Sequence, residues 1–348
     1  MFFNDLIFIF ILIVYSYTQN RILLYVFNKN RLNFLLDSNF VKPQAFHERP
    51  TYSLGGVAIF FPIFLTCLYL YYFKDKIHFE FVSFCTLFFV LGFLDDLKID
   101  LKPKFRLTMM VLLLVFLVIE NQIYIEKTGF DFLNNLLQID IFSLFFICLC
   151  FLFIINGSNL IDGFNGLLGI HSFIIFIILL LINLTSGAKD LSFILFCMSA
   201  VILVFIKFNF PKAQMFLGDS GAYLIGSFIS VSVVSTSILN PEISPFFFCI
   251  ILFYLFFEVF FSFSRKIIIA KQNPLFPDNQ HLHMRVYKFL LKKHYTKERA
   301  NYSTAIYINL TYLLLIFPSV FLLENFIFCK YYFIFLLFVY IYFYKKIK

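Results

Sequence analysis

Long apolar runs separated by short polar segments dominate this chain from end to end. A helix needs about 20 predominantly apolar residues to cross about 30 Å of hydrocarbon, and fewer where flanking Lys or Tyr side chains reach the interface. By that measure the pattern predicts eleven membrane-spanning helices. Their approximate bounds are 5–27, 54–73, 79–95, 104–121, 141–157, 165–184, 191–206, 220–239, 246–270, 301–323 and 326–344. We therefore expect an all-α, polytopic integral membrane protein in which residues 1–348 form a single transmembrane domain.

The distribution of Lys and Arg predicts the orientation, because positive residues are retained on the cytoplasmic side of a membrane. The first apolar run has Asp5 at its start and Arg21, Lys29 and Arg31 towards or beyond its end, and it lacks the small-residue cleavage site of a signal peptide. This predicts an N-terminus outside. With eleven alternating spans, 23 of the 28 Lys and Arg residues then face the cytoplasm, where the C-terminus is also expected.

Composition agrees with a bilayer protein, since 61% of the residues are hydrophobic and only 14% are charged, against about 25% charged in soluble domains. The net charge of +8 follows from the basic cytoplasmic loops, so no nucleic-acid partner is expected. Nearly all of the seven cysteines lie inside apolar runs and none forms a CxxC pair, which argues against a disulfide framework and against a thiolate metal site.

The segments rich in carboxylates, amides and glycine all fall on the predicted cytoplasmic face. They are 42–56, 92–106, 156–166, 207–221 and 271–288. The outside loops are short or carry no such cluster. This distribution favours an enzyme over a transporter, which should carry polar residues near span midpoints and on both faces.

The third predicted span ends in two adjacent carboxylates, Asp95 and Asp96. Consecutive helix residues point about 100° apart, so one carboxylate can hold a cation while the other meets a different partner. A like-charged pair at the end of a membrane helix is costly unless a metal or a cationic group neutralises it. Four cationic residues that follow can neutralise the pair or bind phosphate: Lys98, Lys102, Lys104 and Arg106. The alternative is an ordinary charged loop at the interface.

Residues 156–169 form a polar, Gly-punctuated segment between two apolar runs. The amide side chains of Asn156, Asn159 and Asn165 offer paired donors and acceptors that suit a base, a sugar or a metal-bound water. They accompany one carboxylate, Asp162. A solvated turn between two spans is the alternative.

Three further groups are ambiguous by themselves. Asp219, at the predicted start of the eighth span, is either a helix cap or a metal ligand. His281 and His283 face the same way in an extended segment, and with Arg285 they suit an anionic ligand or a metal, unless they belong to a solvated basic loop. Arg49 either clamps a phosphate or marks the inner end of a helix.

Together these segments place acidic, cationic and amide groups on one membrane face. A hard divalent cation such as Mg²⁺, held by one or two carboxylates and by substrate phosphates, fits this set. So does phosphoryl transfer, in which positioning and charge neutralisation do most of the catalysis.

In their order along the chain and in their amino-acid sequences, these segments resemble those of the polyprenyl-phosphate N-acetylhexosamine-1-phosphate transferase family. Its members have a basic entry with a Gly pair, a DD segment followed by Lys, an NxxNxxDGxNGL segment, an FNxxPAxxFxGDxG segment and a late HxH loop. The resemblance covers about residues 47–288, and the NxxNxxDGxNGL and FNxxPAxxFxGDxG segments are close to complete.

The resemblance implies an enzyme of the bacterial inner membrane with its active site on the cytoplasmic face. It would transfer GlcNAc-1-phosphate, or that of a related amino sugar, from a UDP-N-acetylhexosamine to undecaprenyl phosphate and release UMP. The product would begin a lipid-linked surface glycan such as the O-antigen of lipopolysaccharide. Mg²⁺ is the implied cofactor, with Mn²⁺ as a substitute, and a homodimer is an expected assembly. Transfer of phospho-MurNAc-pentapeptide in peptidoglycan synthesis and, from another class, a membrane transporter are the alternatives.

Carried over residue by residue, the family pattern implies a catalytic role for Asp95, Asp96 and Asp219, with Asp219 and Asp95 on the metal. The substrate-binding residues would be Arg49, Lys104, Asn156, Asn159, Asp162, Asn165, His281, His283 and Arg285. Two departures bear on the donor sugar. Met284 stands where relatives commonly have a third histidine, and some relatives carry aspartate at the position of Asn165.

Overall fold

The computed structural model describes residues 3–30, 32, 34–38, 46, 49–99, 102–269, 271, 273 and 278–347. Helices account for most of this part of the chain. They are α1 (Phe3–Asn30), α2 (Gly55–Lys74), α3 (Phe79–Asp96), α4 (Pro103–Asn121), α5 (Asp131–Leu137), α6 (Asp140–Ile161), α7 (Leu167–Ser186), α8 (Lys189–Asn209), α9 (Gly218–Leu239), α10 (Pro245–Ile251), α11 (Phe253–Ser264), α12 (Leu282–Lys292), α13 (Lys297–Val320) and α14 (Phe326–Lys346). A π-helical turn, Arg265–Ile269, continues α11.

Within the described residues, eight helices are long and apolar enough to cross a membrane, and nine if the bent pair α10–α11 is one span. The prediction of an all-α, multi-pass membrane protein is therefore confirmed. Helices α3 and α4 coincide with two more predicted spans, but each carries three charged residues and stands outside that set. The count of eleven and the side of the N-terminus stay predictions.

The predicted span 246–270 is not one straight helix. It breaks at Leu252, and its two halves meet at 75°. A break frees backbone carbonyls, which must find partners in an apolar setting. The buried Tyr312 hydroxyl of α13 donates to the carbonyl of Ile251, so a side chain from another helix compensates for the lost helical hydrogen bond.

Helix α9 lies at the centre of the bundle and packs against α2, α3, α6 and α7. Two of these contacts depend on glycine. A Cβ on Gly92 of α3 would lie 2.4 Å from the Asp219 carbonyl oxygen, and one on Gly226 of α9 would lie 2.7 Å from Ile155 Cα of α6. Small residues let membrane helices approach this closely. The acidic end of α3 is thereby held against the first turn of α9.

A small sheet closes one end of the bundle. Its strands are β1 (Leu36–Asp37), β2 (Thr51–Ser53) and β3 (Met215–Phe216). β1 and β2 pair antiparallel, with Leu36 opposite Tyr52, whereas β2 and β3 run parallel, with Tyr52 opposite Met215. The sheet ties the segments that precede α2 and α9 to the segment that follows α1.

Candidate active site

A cleft of about 290 Å³ opens beside the first turn of α9, between the small sheet and the ends of α3 and α6. Half of the twelve predicted site residues line it: Asp95, Asp96, Asn159, Asp162, Asn165 and Asp219. They come from three separate segments of the chain. The fold thus assembles the predicted acidic residues and two of the predicted amides into one site.

One guanidinium joins two of these carboxylates. Arg106, in the first turn of α4, places Nη1 3.2 Å from Asp95 Oδ2 and 3.8 Å from Asp219 Oδ2. The Asp95 side chain is 9% exposed, whereas that of Asp219 is 34% exposed. A cation between two carboxylates offsets their mutual repulsion. Sequence reasoning counted Arg106 only among the cations that follow the acidic pair, because its proximity to Asp219 depends on how α4 and α9 pack.

The neighbouring Asp96 turns to a different partner. Its carboxylate accepts hydrogen bonds from the backbone N–H groups of Asp219 (2.9 Å) and Ser220 (3.0 Å), and from Ser220 Oγ (2.5 Å). Asp96 thereby caps α9 from α3, while Leu217, the residue at the N-cap position, supplies no side-chain bond. Asp96 thus supplies the cap that was considered for Asp219, and these contacts are those of a positioning residue. Its predicted catalytic role stays a prediction.

Gly218 makes this approach possible. It has a positive φ of 76°, and a Cβ there would lie 2.7 Å from Asp96 Oδ2. Any side chain at this position would therefore combine backbone strain with a clash against the capping carboxylate.

Asp162 lies just beyond the end of α6, in the turn that leads to α7. Burial, together with the negative charges of Asp219 and Asp96, raises the pKa of Asp162 well above its ordinary value. The Asp162 carboxyl is therefore easier to protonate than an ordinary aspartate in a solvated turn. A second anion would bind unfavourably beside Asp162 unless a cation accompanied that anion.

The amide side chains of this segment are partly engaged in folding it. Asn159 Nδ2 donates to the Tyr223 hydroxyl (3.1 Å), and Asn165 Nδ2 donates to the Pro211 carbonyl (2.9 Å). Asn301 Oδ1 accepts from the Asn165 backbone N–H at 2.9 Å. Asn159 and Asn165 nevertheless line the cleft, so each combines a structural contact with a place at the site.

The other six predicted site residues do not line the cleft. Asn156 sits within α6, as its place in the predicted span 141–157 implied, and donates to the Leu152 carbonyl at 2.8 Å. Lys104 is exposed at the start of α4. The exposed Arg49 lines a smaller pocket of about 150 Å³ that shares Asn165 and Phe216 with the cleft. Their predicted roles stay predictions, and only Arg49 adjoins the cleft through shared residues.

Arg285, the fourth of these residues, faces the C-terminal helix. Its Nη1 donates to the Tyr344 carbonyl at 2.8 Å, and its guanidinium lies 3.8 Å from the centre of the Tyr344 ring. These contacts fasten α12 to α14. Substrate binding by Arg285 stays a prediction, for which the structure supplies a competing structural role.

The two histidines of the late loop are buried, at 3% and 0% exposure, and both approach the carboxylate of Glu258. His281 Nδ1 lies 3.1 Å from Glu258 Oε2, and the two imidazole rings stack with centres 5.4 Å apart. Burial lowers the pKa of His283 to about 3, which keeps its ring neutral. The adjacent Met284 lines the cleft instead. Substrate binding by the histidines stays a prediction. In the structure His281 pairs with Glu258, and His283 Nδ1 lies 3.2 Å from the Tyr254 hydroxyl.

Sequence reasoning missed Glu258, although a signal for it was present. A single carboxylate within the apolar run 246–264 is costly and marks a functional or paired residue. Ser220 and Tyr223 were missed as well, for another reason. Their contacts with Asp96 and Asn159 depend on α9 packing against α3 and α6, and ordinary polar residues near a helix start carry no comparable signal.

The residues at the cleft fit a magnesium ion shared with a substrate. Asp95 and Asp219 both approach one guanidinium, and Mg²⁺ in phosphate-binding sites commonly takes one or two carboxylates together with phosphate oxygens. Among the described residues, no group of three or more His, Cys, Asp or Glu side chains is placed to hold a metal by itself. The donor set therefore suits a cation that arrives with phosphates, and does not form a complete protein cage.

The fold and the cleft define a multi-pass membrane protein with an acidic site at its helix ends, and comparison with known proteins gives its family. Residues 78–237 match the model of Glycosyl transferase family 4. The chain is 30% identical over 238 residues to the undecaprenyl-phosphate alpha-N-acetylglucosaminyl 1-phosphate transferase of Thermotoga maritima, covering 68% of both chains.

Two further relatives carry related names. The phospho-N-acetylmuramoyl-pentapeptide-transferase of Prochlorococcus marinus subsp. pastoris is 32% identical over 253 residues, which cover 68% of this chain and 70% of the relative. A probable undecaprenyl-phosphate N-acetylglucosaminyl 1-phosphate transferase of Bacillus subtilis is 26% identical over 247 residues, covering 70% and 67%. The chain belongs to this family of polyprenyl-phosphate sugar-1-phosphate transferases, which confirms the resemblance found in its motifs.

Proposed function

We propose that this protein transfers GlcNAc-1-phosphate, or the 1-phosphate of a related amino sugar, from a UDP-sugar to undecaprenyl phosphate. UMP is released and a lipid-linked pyrophosphate sugar remains. The observation that carries the proposal is the contact of Arg106 with both Asp95 and Asp219 in the cleft. Such a set of charges suits a pyrophosphate and a divalent cation. The names of the Thermotoga and Bacillus relatives support the choice of sugar.

Transfer of phospho-MurNAc-pentapeptide is the second candidate, and the Prochlorococcus relative favours it. The two donors share the UDP group and differ in the sugar. Discrimination between them therefore belongs to the sugar end of the site, where Asn165 lies between the cleft and the pocket of Arg49.

In the membrane we propose eleven spans, with the N-terminus outside, the C-terminus in the cytoplasm and the cleft on the cytoplasmic side of the bacterial inner membrane. Support comes from α3 and α4, which coincide with two predicted spans. The cleft residues also all belong to segments that the Lys and Arg distribution assigns to the inside. A nucleotide sugar can reach such a cleft from the cytoplasm, and a homodimer remains part of the proposal.

The chemical step is a direct attack of a lipid phosphate oxygen on the β-phosphorus of the UDP-sugar. An oxygen–phosphorus bond forms to the β-phosphorus, and the bond from that phosphorus to the oxygen bridging it to the α-phosphorus breaks, so that UMP leaves with the electron pair. A phosphate monoester has a second pKa near 6 and is mostly dianionic at pH 7. It needs no strong general base.

The residues of the cleft divide the work. Asp219 and Asp95 would hold Mg²⁺, which when bound supplies positive charge to the pyrophosphate oxygens. Arg106 neutralises charge at the same place, and Asp96 holds the first turn of α9 so that Asp219 faces the cleft. Asn159, Asp162 and Asn165 serve recognition of the donor. A covalent phospho-aspartate intermediate is the alternative to direct attack.

The test is incubation of the purified protein with undecaprenyl phosphate, Mg²⁺ and a panel of UDP-sugars that includes UDP-GlcNAc and UDP-MurNAc-pentapeptide, with UMP measured. We expect UMP with UDP-GlcNAc or a related amino-sugar donor, and only in the presence of the lipid. Release of UMP with UDP-MurNAc-pentapeptide alone selects the second candidate, and no release with any donor refutes both.

The same assay without lipid separates the two mechanisms. Direct attack predicts neither UMP nor protein-bound label from a donor labelled at its β-phosphate. A stoichiometric burst of UMP, with the label retained on the protein, would overturn direct attack in favour of the phospho-aspartate route.

A further inference from the structure

Glu258 is a buried carboxylate on the otherwise apolar helix α11, with 1% of its surface exposed. A carboxylate in an apolar helix is costly unless other groups pair with it, and such residues commonly mark functional parts of membrane proteins. It does not line the cleft, and the chemistry proposed above does not use it. Its contacts lie at the start of α12.

Both carboxylate oxygens of Glu258 contact the start of α12. Oε1 accepts a hydrogen bond from the backbone N–H of Leu282 at 3.0 Å, and Oε2 lies 3.1 Å from His281 Nδ1. His283 Nδ1 is 3.9 Å from Oε1. Leu282 is the first residue of α12, and the residue at its N-cap position, His281, supplies no capping bond from its side chain. Glu258 therefore caps α12 from a neighbouring helix, where negative charge is favourable.

A second anchor fixes the same turn. Asp278 Oδ1 lies 3.5 Å from His281 Nε2, and Asp278 Oδ2 accepts a hydrogen bond from Arg265 at 2.5 Å, with Lys266 at 3.7 Å. Burial acts to raise the pKa of Asp278, but the hydrogen bonds from Arg265 and from the Gln280 backbone outweigh it and hold that pKa below its ordinary value. A carboxylate thus lies at each ring nitrogen of His281, and both carboxylates are held by α11 or its π turn.

The other side of this turn faces the cleft. Met284 and Phe164 line the cleft. The His283 ring meets Phe164 edge-on with centres 5.7 Å apart, and Tyr287 lies 5.3 Å from Phe164 and 5.0 Å from Phe46, centre to centre. A shift in the first turn of α12 would therefore move Met284 and Phe164. The carboxylates Asp95 and Asp219 stand on other helices and would keep their places.

We propose that Glu258 is a positioning residue for the sugar-nucleotide donor. Through His281 and Leu282 it fixes α12, and thereby the wall of the cleft formed by Met284 and Phe164. The proposal rests on the proposed function. Met284 and Phe164 line the same cleft as Asn159, Asp162 and Asn165, the residues proposed to recognise the donor, so we assign this wall to the donor and not to the lipid.

The first test is steady-state kinetics of UMP release by the full-length Glu258→Gln and Glu258→Ala variants. We expect KM for the UDP-sugar to rise about tenfold or more, as when a hydrogen bond to a charged group is lost, with kcat changed by less than about threefold. The rise should be larger for Ala, because Gln retains an oxygen for the Leu282 N–H. A purely structural role would instead reduce the active fraction, and with it the apparent kcat, at constant KM, and that result overturns the proposal.

Asp5→Asn is the matched control. Asp5 is also a buried carboxylate in an apolar helix, held by the Tyr69 hydroxyl at 2.9 Å and by Lys74 at 2.8 Å, but it lies on α1 away from the cleft residues. Its replacement should lower thermal stability and leave the donor KM unchanged. An equal rise of KM in Asp5→Asn and Glu258→Gln would mean that KM reports general loosening, which overturns the positioning role.

Hydrogen–deuterium exchange supplies a measurement that needs no turnover. In Glu258→Ala the amides of residues 282–287 should exchange faster than in the wild type, because the Leu282 N–H and the first turn of α12 lose their acceptor. Unchanged exchange would overturn the capping of α12 by Glu258. If the wild type releases no UMP with any donor, the proposed function fails, and the exchange result alone then supports or overturns this capping.

Discussion

The adjacent carboxylates Asp95 and Asp96 offer a matched pair of substitutions, one expected to affect stability and the other activity. Both residues stand at the end of α3, and Asp→Asn changes each by the same atoms. Asp96 accepts three hydrogen bonds from the first turn of α9, whereas Asp95 faces Arg106 and the cleft. We therefore expect Asp96→Asn to lower stability and Asp95→Asn to lower activity with little loss of stability.

The magnitude for Asp96→Asn follows from its contacts. The amide keeps one acceptor oxygen and turns an NH₂ group towards donors, so at least one N–H or hydroxyl of α9 loses its partner, at about 1–3 kcal/mol. The lost interaction of the negative charge with the N-terminus of α9 is worth about 0.3–1 kcal/mol, and it is offset because a buried charge near that of Asp219 is removed. The net loss of stability is therefore about 1–3 kcal/mol. For Asp95→Asn, loss of the partly exposed ion pair with Arg106 is worth about 1 kcal/mol or less, and it is offset because a buried charge is removed.

Thermal unfolding in one detergent, followed for both variants and the wild type, measures the difference. Asp96→Asn should melt several degrees below Asp95→Asn, while Asp95→Asn should retain less than about a hundredth of wild-type kcat/KM, as when a preorganised charge is lost from an active site. Equal melting temperatures for the two variants would refute the capping role of Asp96. A lower melting temperature for Asp95→Asn would reverse the assignment of the two carboxylates.

Three further predictions concern the same cleft. Arg106→Lys should retain part of the activity and Arg106→Gln less, with kcat/KM about tenfold or more below wild type for Gln because charge between Asp95 and Asp219 is lost; equal activity of all three proteins contradicts this. Gly92→Ala should destabilise by about 1–3 kcal/mol, because its Cβ would lie 2.4 Å from the Asp219 carbonyl oxygen. In thermal melts Gly163→Ala, whose Cβ would meet only Phe46 at 3.9 Å, is the control. Asp162→Asn should be more stable than wild type at neutral pH. The pKa of Asp162 is raised in the folded protein, so the wild type loses stability as pH rises through that pKa and the carboxyl ionises, whereas an amide stays neutral. The gain should shrink as pH falls towards about 4, and a gain that grows on acidification would refute it.

Hydropathy predicted most of the helices because hydrocarbon offers the backbone no hydrogen-bond partners. An apolar run of about 20 residues satisfies its own N–H and C=O groups only as a helix, and runs such as 165–184 and 326–344 accordingly became α7 and α14. The break at Leu252 was not predictable in the same way. It depends on a hydroxyl from α13, far away in the sequence, that satisfies a carbonyl freed by the bend.

The sequence predicted which acidic residues line the cleft, but it did not predict the separate role of each one. Clustering of polar segments on one face identified Asp95, Asp96, Asp162 and Asp219, all of which line it. The periodicity of a helix allows Asp95 and Asp96 to meet different partners, but only the packing of α3 against α9 determines which of them becomes the cap. The histidines illustrate the converse, because a polar loop in the sequence became a buried cluster once Glu258 was placed beside it.

Asp96 and Glu258 serve the same physical purpose at two walls of the cleft. Each carboxylate stands on one helix and caps another, and the capped helix presents a cleft residue within its first three residues, Asp219 on α9 and Met284 on α12. A helix start has unpaired N–H groups that must be satisfied before it can face a substrate. Capping from another helix satisfies them and also fixes where that helix start lies relative to its neighbour. In the proposed reaction a water-soluble donor meets a membrane-bound acceptor, and capping of this kind fixes the two helix starts that present Asp219 and Met284 to the cleft.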